Sequence, residues 1–232
     1  MQLFYTKNIQ NKTAIFDAEE TKHCTKTLRK NIGDVLRLTD GQGHLYEAEL
    51  TAFDKKSATL RILQQLPSPD QRSFKLHIAI APTKNNSRLE WFLEKATELG
   101  IDEVSFIRCQ RSERKNIRLE RLEKIVLAAA KQSLKTILPV LHPLRSFKEV
   151  ITTVQADFKG IAHCNIADLP PLKESVTAVP HLFLLIGPEG DFSVQEVEWA
   201  KEQGFQEIGL GKSRLRTETA GLVACHTVHL MQ

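Results

Sequence analysis

The chain has 232 residues, room for one large domain or two modest ones, and is 41% hydrophobic and 26% charged, an ordinary balance for a soluble globular protein with a core. Its apolar runs are far too short to span a bilayer, and the start MQLFYTKNIQ lacks the basic-then-apolar layout of a signal peptide. Four scattered cysteines (Cys24, Cys109, Cys164, Cys225) with no CxxC pair argue for reduced thiols in a cytoplasmic protein and against a zinc site, and a net charge of +4 permits an RNA partner without demanding one.

Residues 1 to about 66 read as mostly β. Val35–Thr39 alternates, Asp40-Gly41 signals a hairpin turn, and Leu45–Phe53 returns as a partly alternating strand. A second turn at Asp54-Lys55-Lys56-Ser57 leads into a strand over Ala58–Leu63. One helix is expected around Thr21–Lys30, with Cys24, Thr27 and Leu28 on one face. Short strands with close turns suggest a small barrel, and Leu66-Pro67-Ser68-Pro69-Asp70 reads as a stiff, exposed linker. Lys22, His23, Lys26, Arg29 and Lys30 form a basic cluster, either a solvated helix face or a surface that tracks an RNA backbone.

Beyond the linker the pattern changes. Phe74–Ala81 suits the first strand of a new sheet, and Ser87-Arg88-Leu89-Glu90 has capping-box spacing. Leu89, Phe92, Leu93, Ala96 and Leu99 then form a helical stripe stopped at Gly100, with a strand over Glu103–Ile107. Strands alternating with helices of this length indicate βαβ units and a mostly parallel sheet. Arg108, Arg111, Arg114, Lys115 and Arg118 are interrupted by Glu113, so this stretch is either a solvated loop with local ion pairs or a loop facing RNA. A helix over 117–134 buries Leu122, Ile125, Val126 and Ala129. From Leu138 to Ala178 the signal weakens to a strand at Ile161–Cys164 and a loop at Leu169-Pro170-Pro171. His163 and Cys164, adjacent in a strand, point to opposite faces, and His226 and His229 read as packed or surface histidines, so no metal site is expected.

The most informative stretch runs from His181 to Ala220. Two apolar runs, Leu182–Ile186 and Ile208–Leu210, read as buried strands that end in glycine. The first opens into Gly187-Pro188-Glu189-Gly190 and the second into Gly211-Lys212-Ser213-Arg214-Leu215-Arg216-Thr217-Glu218-Thr219. Between them Ser193-Val194-Gln195-Glu196 is a capping-box spacing and Gly204 a helix stop. Both loops would lie beyond the carboxyl ends of the strands, where α/β sheets bind ligands. Glycines allow close backbone approach, Glu189 can accept hydrogen bonds from ribose hydroxyls, and Arg216 offers a planar fork for phosphate or carboxylate. Neither a dinucleotide fingerprint nor a phosphate-binding P-loop fits the spacing.

The segments LLIGPEGDFSVQEVE and LGKSRLRTETA resemble the paired C-terminal motifs of the RsmE family, the 16S ribosomal RNA uracil-N3 methyltransferases of the SPOUT superfamily. The resemblance continues upstream through Lys84, Arg88, Glu90-Trp91, Lys95–Gly100, Arg111-Ser112 and Ala130–Ser133, and Lys135 stands where the family usually has arginine. It implies an α/β protein: a PUA-like RNA-binding β-barrel over 1–70, and over 71–232 a SPOUT domain with a parallel sheet and a deep trefoil knot. It also implies S-adenosylmethionine as cofactor, 16S ribosomal RNA of the small subunit as substrate, and a homodimer. The implied cofactor residues are Leu185, Ile186, Gly187, Glu189, Gly190, Leu210, Gly211, Ser213, Leu215, Arg216 and Thr217. Arg216, Glu218 and Glu189 are the candidates for chemistry; uracil N3 must lose a proton, which calls for a base or for stabilisation of the anion. Lys22, Lys26, Arg29, Lys30, Lys84, Arg88 and Arg111 are the implied RNA contacts. The rival readings are a non-catalytic RNA-binding protein and a related enzyme acting on another RNA, such as transfer RNA.

Overall fold

The structure, a computed structural model, describes residues 2–164, 166, 168–176 and 179–231. It separates into two units, Met1–Gln71 with Leu127–Leu138, and Arg72–Val126 with Pro139–Gln232.

In the first unit, strands β1 (Leu3–Tyr5), β2 (Ile9–Gln10), β3 (Thr13–Phe16), β4 (Val35–Thr39), β5 (Leu45–Phe53) and β6 (Ala58–Leu66) form one sheet in the order β1-β4-β5-β6-β3-β2. Its two ends, β1 and β2, are joined by only three residues. Residues between them hold to β3, Thr6 donating to the Ile15 carbonyl at 2.5 Å and Ile15 N–H to the Asn8 carbonyl at 2.9 Å. The sheet therefore curls into the small barrel that the sequence suggests. Period-two alternation sends Leu36, Leu38, Ala48, Leu50, Ala58 and Leu60 inward, where Phe4 and Phe16 stack at 5.3 Å. The 35–53 hairpin forms as expected, although its loop is five residues long, with Gly41 and Gly43 both at positive φ.

Two expectations for this unit need correction. The helix expected over 21–30 starts earlier: α1 (Ala18–Lys22) is capped by Asp17 and runs into a π-helical turn over His23–Thr27, and Arg29 lies in the left-handed region. The 66–70 stretch is also less free than a linker. β6 reaches Leu66, Ser68 Oγ lies 2.7 Å from Thr136 Oγ1, and the Asp70 carboxylate accepts from Thr136 N and Oγ1 at 2.5 and 2.8 Å. Burial opposes ionisation of Asp70, yet the bonds from Thr136 and the charge of Lys135 hold its carboxyl below the usual range.

The second unit is a parallel sheet of β7 (Lys75–Ile80), β8 (Glu103–Arg108), β9 (Val140–Ser146), β10 (Phe158–Ala162), β11 (His181–Ile186) and β12 (Gln206–Ile208), ordered β12-β10-β11-β7-β8-β9. The central strands β7 and β11 are buried almost throughout because both faces are covered, whereas the edge strand β9 keeps polar and exposed residues. The helices are α2 (Asn86–Leu99), α3 (Leu119–Ser133, which crosses into the first unit at Leu127), α4 (Phe147–Thr153), α5 (Leu172–Ser175), α6 (Val194–Glu202) and α7 (Thr217–Met231). One face carries Ala79, Ile107, Ile161, Phe183 and Leu185 packed with Phe147, Val150 and Val197 of α4 and α6. Against the other lie α2 and α7, so close that a Cβ on Gly221 would come within 2.7 Å of the Phe92 ring.

The α6 capping box forms between Ser193 and Glu196 as the spacing predicts. The one expected at Ser87 does not: Asn85 caps α2, accepting from Ser87 N–H, and Gly100 ends it at φ 97°. α3 starts at Leu119, two residues later than expected, and keeps Ile125 only half-buried. Strand β9 and helix α4 lie where the sequence signal was weak, although Ser146 and Glu149 complete a capping box of the same spacing. The strand expected over 161–164 is instead β10, Phe158–Ala162, so His163 and Cys164 follow it rather than alternate within it; His163 is buried with Nε2 3.0 Å from Glu207, and Cys164 is exposed. His226 is exposed. His229 is packed, taking a hydrogen bond from Arg72 at 2.6 Å and donating to the Cys225 carbonyl at 2.8 Å.

Candidate functional site

Strand order decides where a ligand can sit. From β7 the chain moves outward to β8 and β9; after β11 it departs the other way, to β12 beyond β10. β7 and β11 are paired neighbours, so the switch point lies between their carboxyl ends, where connecting segments diverge and leave a crevice. Four loops of the second unit meet there: 81–85 after β7, 109–118 after β8, 187–193 after β11 and 209–216 after β12.

Side chains bind these loops to one another. Thr217 Oγ1 donates to the Gly187 carbonyl at 3.0 Å, a buried bond that ties the two glycine loops. Glu189 is exposed and accepts from Lys84 N–H at 2.9 Å. Arg111 donates to the carbonyls of Gly190 at 2.9 Å and Phe192 at 3.5 Å, and Arg114 to those of Thr83 at 2.9 Å and Lys84. Glu196 accepts from Gln110 N–H at 2.7 Å while also capping its own helix. Of the basic run 108–118, Arg111 and Arg114 therefore hold backbone, and Lys84 pairs with Glu113 at 2.9 Å. The roles of Gln110, Arg114 and Thr83 had no sequence signature, because a charged side chain reaching a carbonyl far along the chain leaves no local pattern.

The glycines are spatially distinct. A Cβ on Gly187 would lie 3.1 Å from the Phe192 ring, and one on Gly190 3.2 Å from Arg111, so both sit under close packing. Gly211, at φ 112°, faces open space. Leu185, Ile186 and Gly187 are buried at the floor, Leu210 and Leu215 are half-buried, and Ser213 and Arg216 are exposed at the rim. Such a cradle offers backbone groups and small surfaces, which suits a nucleoside-like ligand.

Glu218 is the most unusual group. It lies in the first turn of α7, buried, with Oε1 3.6 Å from Arg88 Nε and Oε2 enclosed with no hydrogen-bond partner. An acceptor left so costs about 1–3 kcal/mol, which a ligand donor reaching it would recover. Arg216, two residues earlier, is exposed. The structure thus joins Glu189 to Lys84, Glu218 to Arg88 and Arg111 to Gly190. Lys22, Lys26 and Arg29 are exposed and Lys30 half-buried in the first unit, where Lys131 occupies Glu20 at 2.5 Å. Lys135 is there too, 3.2 Å from Asp70.

An α/β domain with a backbone-lined crevice at its switch point, on a chain that also carries a small β-barrel with exposed basic residues, defines a class of protein that handles nucleotides or nucleic acid. Comparison with known proteins is more specific. The RNA methyltransferase domain family matches residues 70–229, and the RNA methyltransferase PUA domain family matches 16–63. The chain belongs to this family of RNA methyltransferases. Among similar structures, a probable rRNA-methyltransferase from Porphyromonas gingivalis is 41% identical with a TM-score of 0.93, covering 100% of this chain and 98% of that one. A ribosomal RNA small subunit methyltransferase E from Neisseria gonorrhoeae bound to S-adenosyl methionine is 26% identical with a TM-score of 0.90, covering 99% and 97%. The Bacillus subtilis ribosomal RNA small subunit methyltransferase E is 28% identical over 227 residues, 90% of this chain and 87% of that protein.

Proposed function

We propose that the chain methylates N3 of one uridine in the 16S ribosomal RNA of the small subunit, with S-adenosylmethionine as methyl donor, in the cytoplasm. The observation that carries this is the pair of glycine loops joined by the Thr217–Gly187 bond, with Arg216 at the rim and the enclosed oxygen of Glu218. Similarity over 90% or more of this chain to small-subunit ribosomal RNA methyltransferases supports the substrate.

The cradle fits the cofactor. Leu185, Ile186, Gly187, Gly190, Leu210, Gly211, Ser213, Leu215 and Thr217 would hold it, and the open face of Gly211 leaves room that a side chain would fill. S-adenosylmethionine supplies an electrophilic methyl group. The chain's own task is then to present N3 as a nucleophile, by taking its proton or by stabilising the negative charge left on the ring. Glu189 has one oxygen committed to Lys84 N–H, which favours a ribose-binding or positioning role. Glu218, held next to Arg88, is the better placed carboxylate to accept a proton, and Arg216 is placed to stabilise the uracil anion or clamp a phosphate. No cysteine lies in either loop, which agrees with direct N-methylation and no covalent adduct.

The same proposal assigns RNA docking to residues 1–70, through Lys22, Lys26, Arg29 and Lys30, and catalysis to 71–232, with Lys84, Arg88 and Arg111 facing RNA at the crevice. It includes a deep trefoil knot, supported by the return of α7 to β7 and β11 after the excursion to β12. It also includes a homodimer, supported by the partly exposed apolar residues Leu222, Val223 and Leu230 of α7.

Transfer of labelled methyl from S-adenosylmethionine into small ribosomal subunits tests the activity, with nucleoside analysis of the product. N3-methyluridine at one site is expected, and Arg216→Ala should lower the rate about 100-fold or more. Methylation confined to transfer RNA would reassign the substrate, and no cofactor binding would leave a non-catalytic RNA-binding protein.

A further inference from the structure

At the other end of the parallel sheet, the strand starts bring together residues far apart in sequence. Glu103 opens β8 and pairs in register with His77 of β7. His77 pairs on its other side with Phe183, and His181 lies two residues before Phe183, on the same face. Ser105, two residues after Glu103, pairs with His142 of β9. Period-two alternation therefore directs three imidazoles, one carboxylate and one hydroxyl to a single face at the amino-terminal edge.

Their contacts have the form of a coordination shell. His77 Nε2 lies 2.8 Å from Ser105 Oγ, which leaves Nδ1 turned to Glu103 Oε2 at 3.6 Å. His142 Nε2 lies 2.7 Å from the same oxygen. His181 Nε2 is enclosed and has no hydrogen-bond partner. One donor atom each from His77, Glu103 and His181 all fall within 4.8 Å of one another. Packing alone explains this poorly: the enclosed Nε2 of His181 gives up water and gains no partner, whereas further along the same strands the face turns to the buried Ala79, Leu185 and Ile107.

We propose that His77, Glu103 and His181 form a binding site for a divalent transition metal of the zinc type. Two imidazole nitrogens and one carboxylate oxygen are a recurrent zinc donor set, with the fourth position left to water. Zinc bonds of about 2.0–2.2 Å put tetrahedral ligand atoms roughly 3.3 Å apart, so the donors close in by up to about 1.5 Å, within the reach of side-chain rotation. The outer contacts suit the role. The hydroxyl of Ser105 fixes the ring of His77, His142 orients Glu103, and the Phe183 ring packs edge-on at 4.5 Å from His77. Gly187 lies six positions along the chain from His181, roughly 20 Å of strand, so the metal would brace the sheet and take no part in methyl transfer.

The test uses full-length protein, stripped with a chelator and titrated with Zn²⁺ by calorimetry, and with Co²⁺ by visible absorption. One equivalent per chain is expected, with the intense cobalt bands of a tetrahedral site and a zinc-dependent rise in Tm. His181→Gln and Glu103→Gln should each weaken binding at least about tenfold and abolish the rise, with circular dichroism and S-adenosylmethionine binding unchanged. Cys164→Ser should bind like the parent. Less than one equivalent on the parent protein, or undiminished binding by His181→Gln, overturns the proposal; if Glu103→Gln does not fold, His181→Gln decides.

Discussion

Thr217→Val probes the joint between the two glycine loops. Threonine and valine are near-isosteric and have similar helix propensities, so the change at the first residue of α7 replaces a hydroxyl by a methyl and little else. The lost bond is 3.0 Å long and buried, and its acceptor is the carbonyl of Gly187, itself buried. A net hydrogen bond contributes about 1 kcal/mol, and an enclosed carbonyl deprived of its donor raises the cost towards about 2 kcal/mol. For a chain of this length that lowers Tm by about 4–8 °C. Because both loops frame the crevice, S-adenosylmethionine binding should also weaken several-fold. Thermal unfolding and calorimetric titration of Thr217→Val beside Thr217→Ser, which keeps the hydroxyl, provide the assay. If the valine variant unfolds within about 1 °C of the parent and binds cofactor equally well, the loops are joined by something other than this bond and the reasoning fails.

Asp70 anchors Thr136 and Lys135 with its carboxyl held below the usual range, burial being outweighed by hydrogen bonds and charge, so its contribution is present above the ordinary carboxylate pKa and disappears as pH falls through the depressed folded value. Asp70→Asn should therefore cost about 1–2 kcal/mol at neutral pH in denaturant unfolding, with the gap to the parent closing in acid; a gap independent of pH would refute the assignment. Alkylation should modify Cys164 rapidly and Cys24, Cys109 and Cys225 only on unfolding. The last three are buried, and burial pushes Cys24 up to about 11 and Cys225 to about 12 and raises Cys109 well above its usual value. Mass spectrometry finding more than one rapid adduct on the native chain would contradict this packing.

Local chemistry and period were written into the chain. The stripe of α2, the Ser193–Glu196 box and the two glycine loops each depend on residues within about four positions of one another, and the 35–53 hairpin on alternation either side of its glycine-bearing loop, so period, capping and glycine placement determine them. The same logic would have revealed α4 through Ser146 and Glu149, had the weak apolar pattern around it not hidden the box. Tertiary structure alone decided which distant groups meet. Arg114 on the Thr83 carbonyl, Glu196 on Gln110 N–H and Thr217 on Gly187 join loops that only the strand order makes neighbours. Likewise His77, Glu103 and His181 belong to three strands, and their meeting is a matter of register between β7, β8 and β11. Register follows from the packing of a whole sheet face. That is a collective property of the burial energy, and no window of sequence contains it.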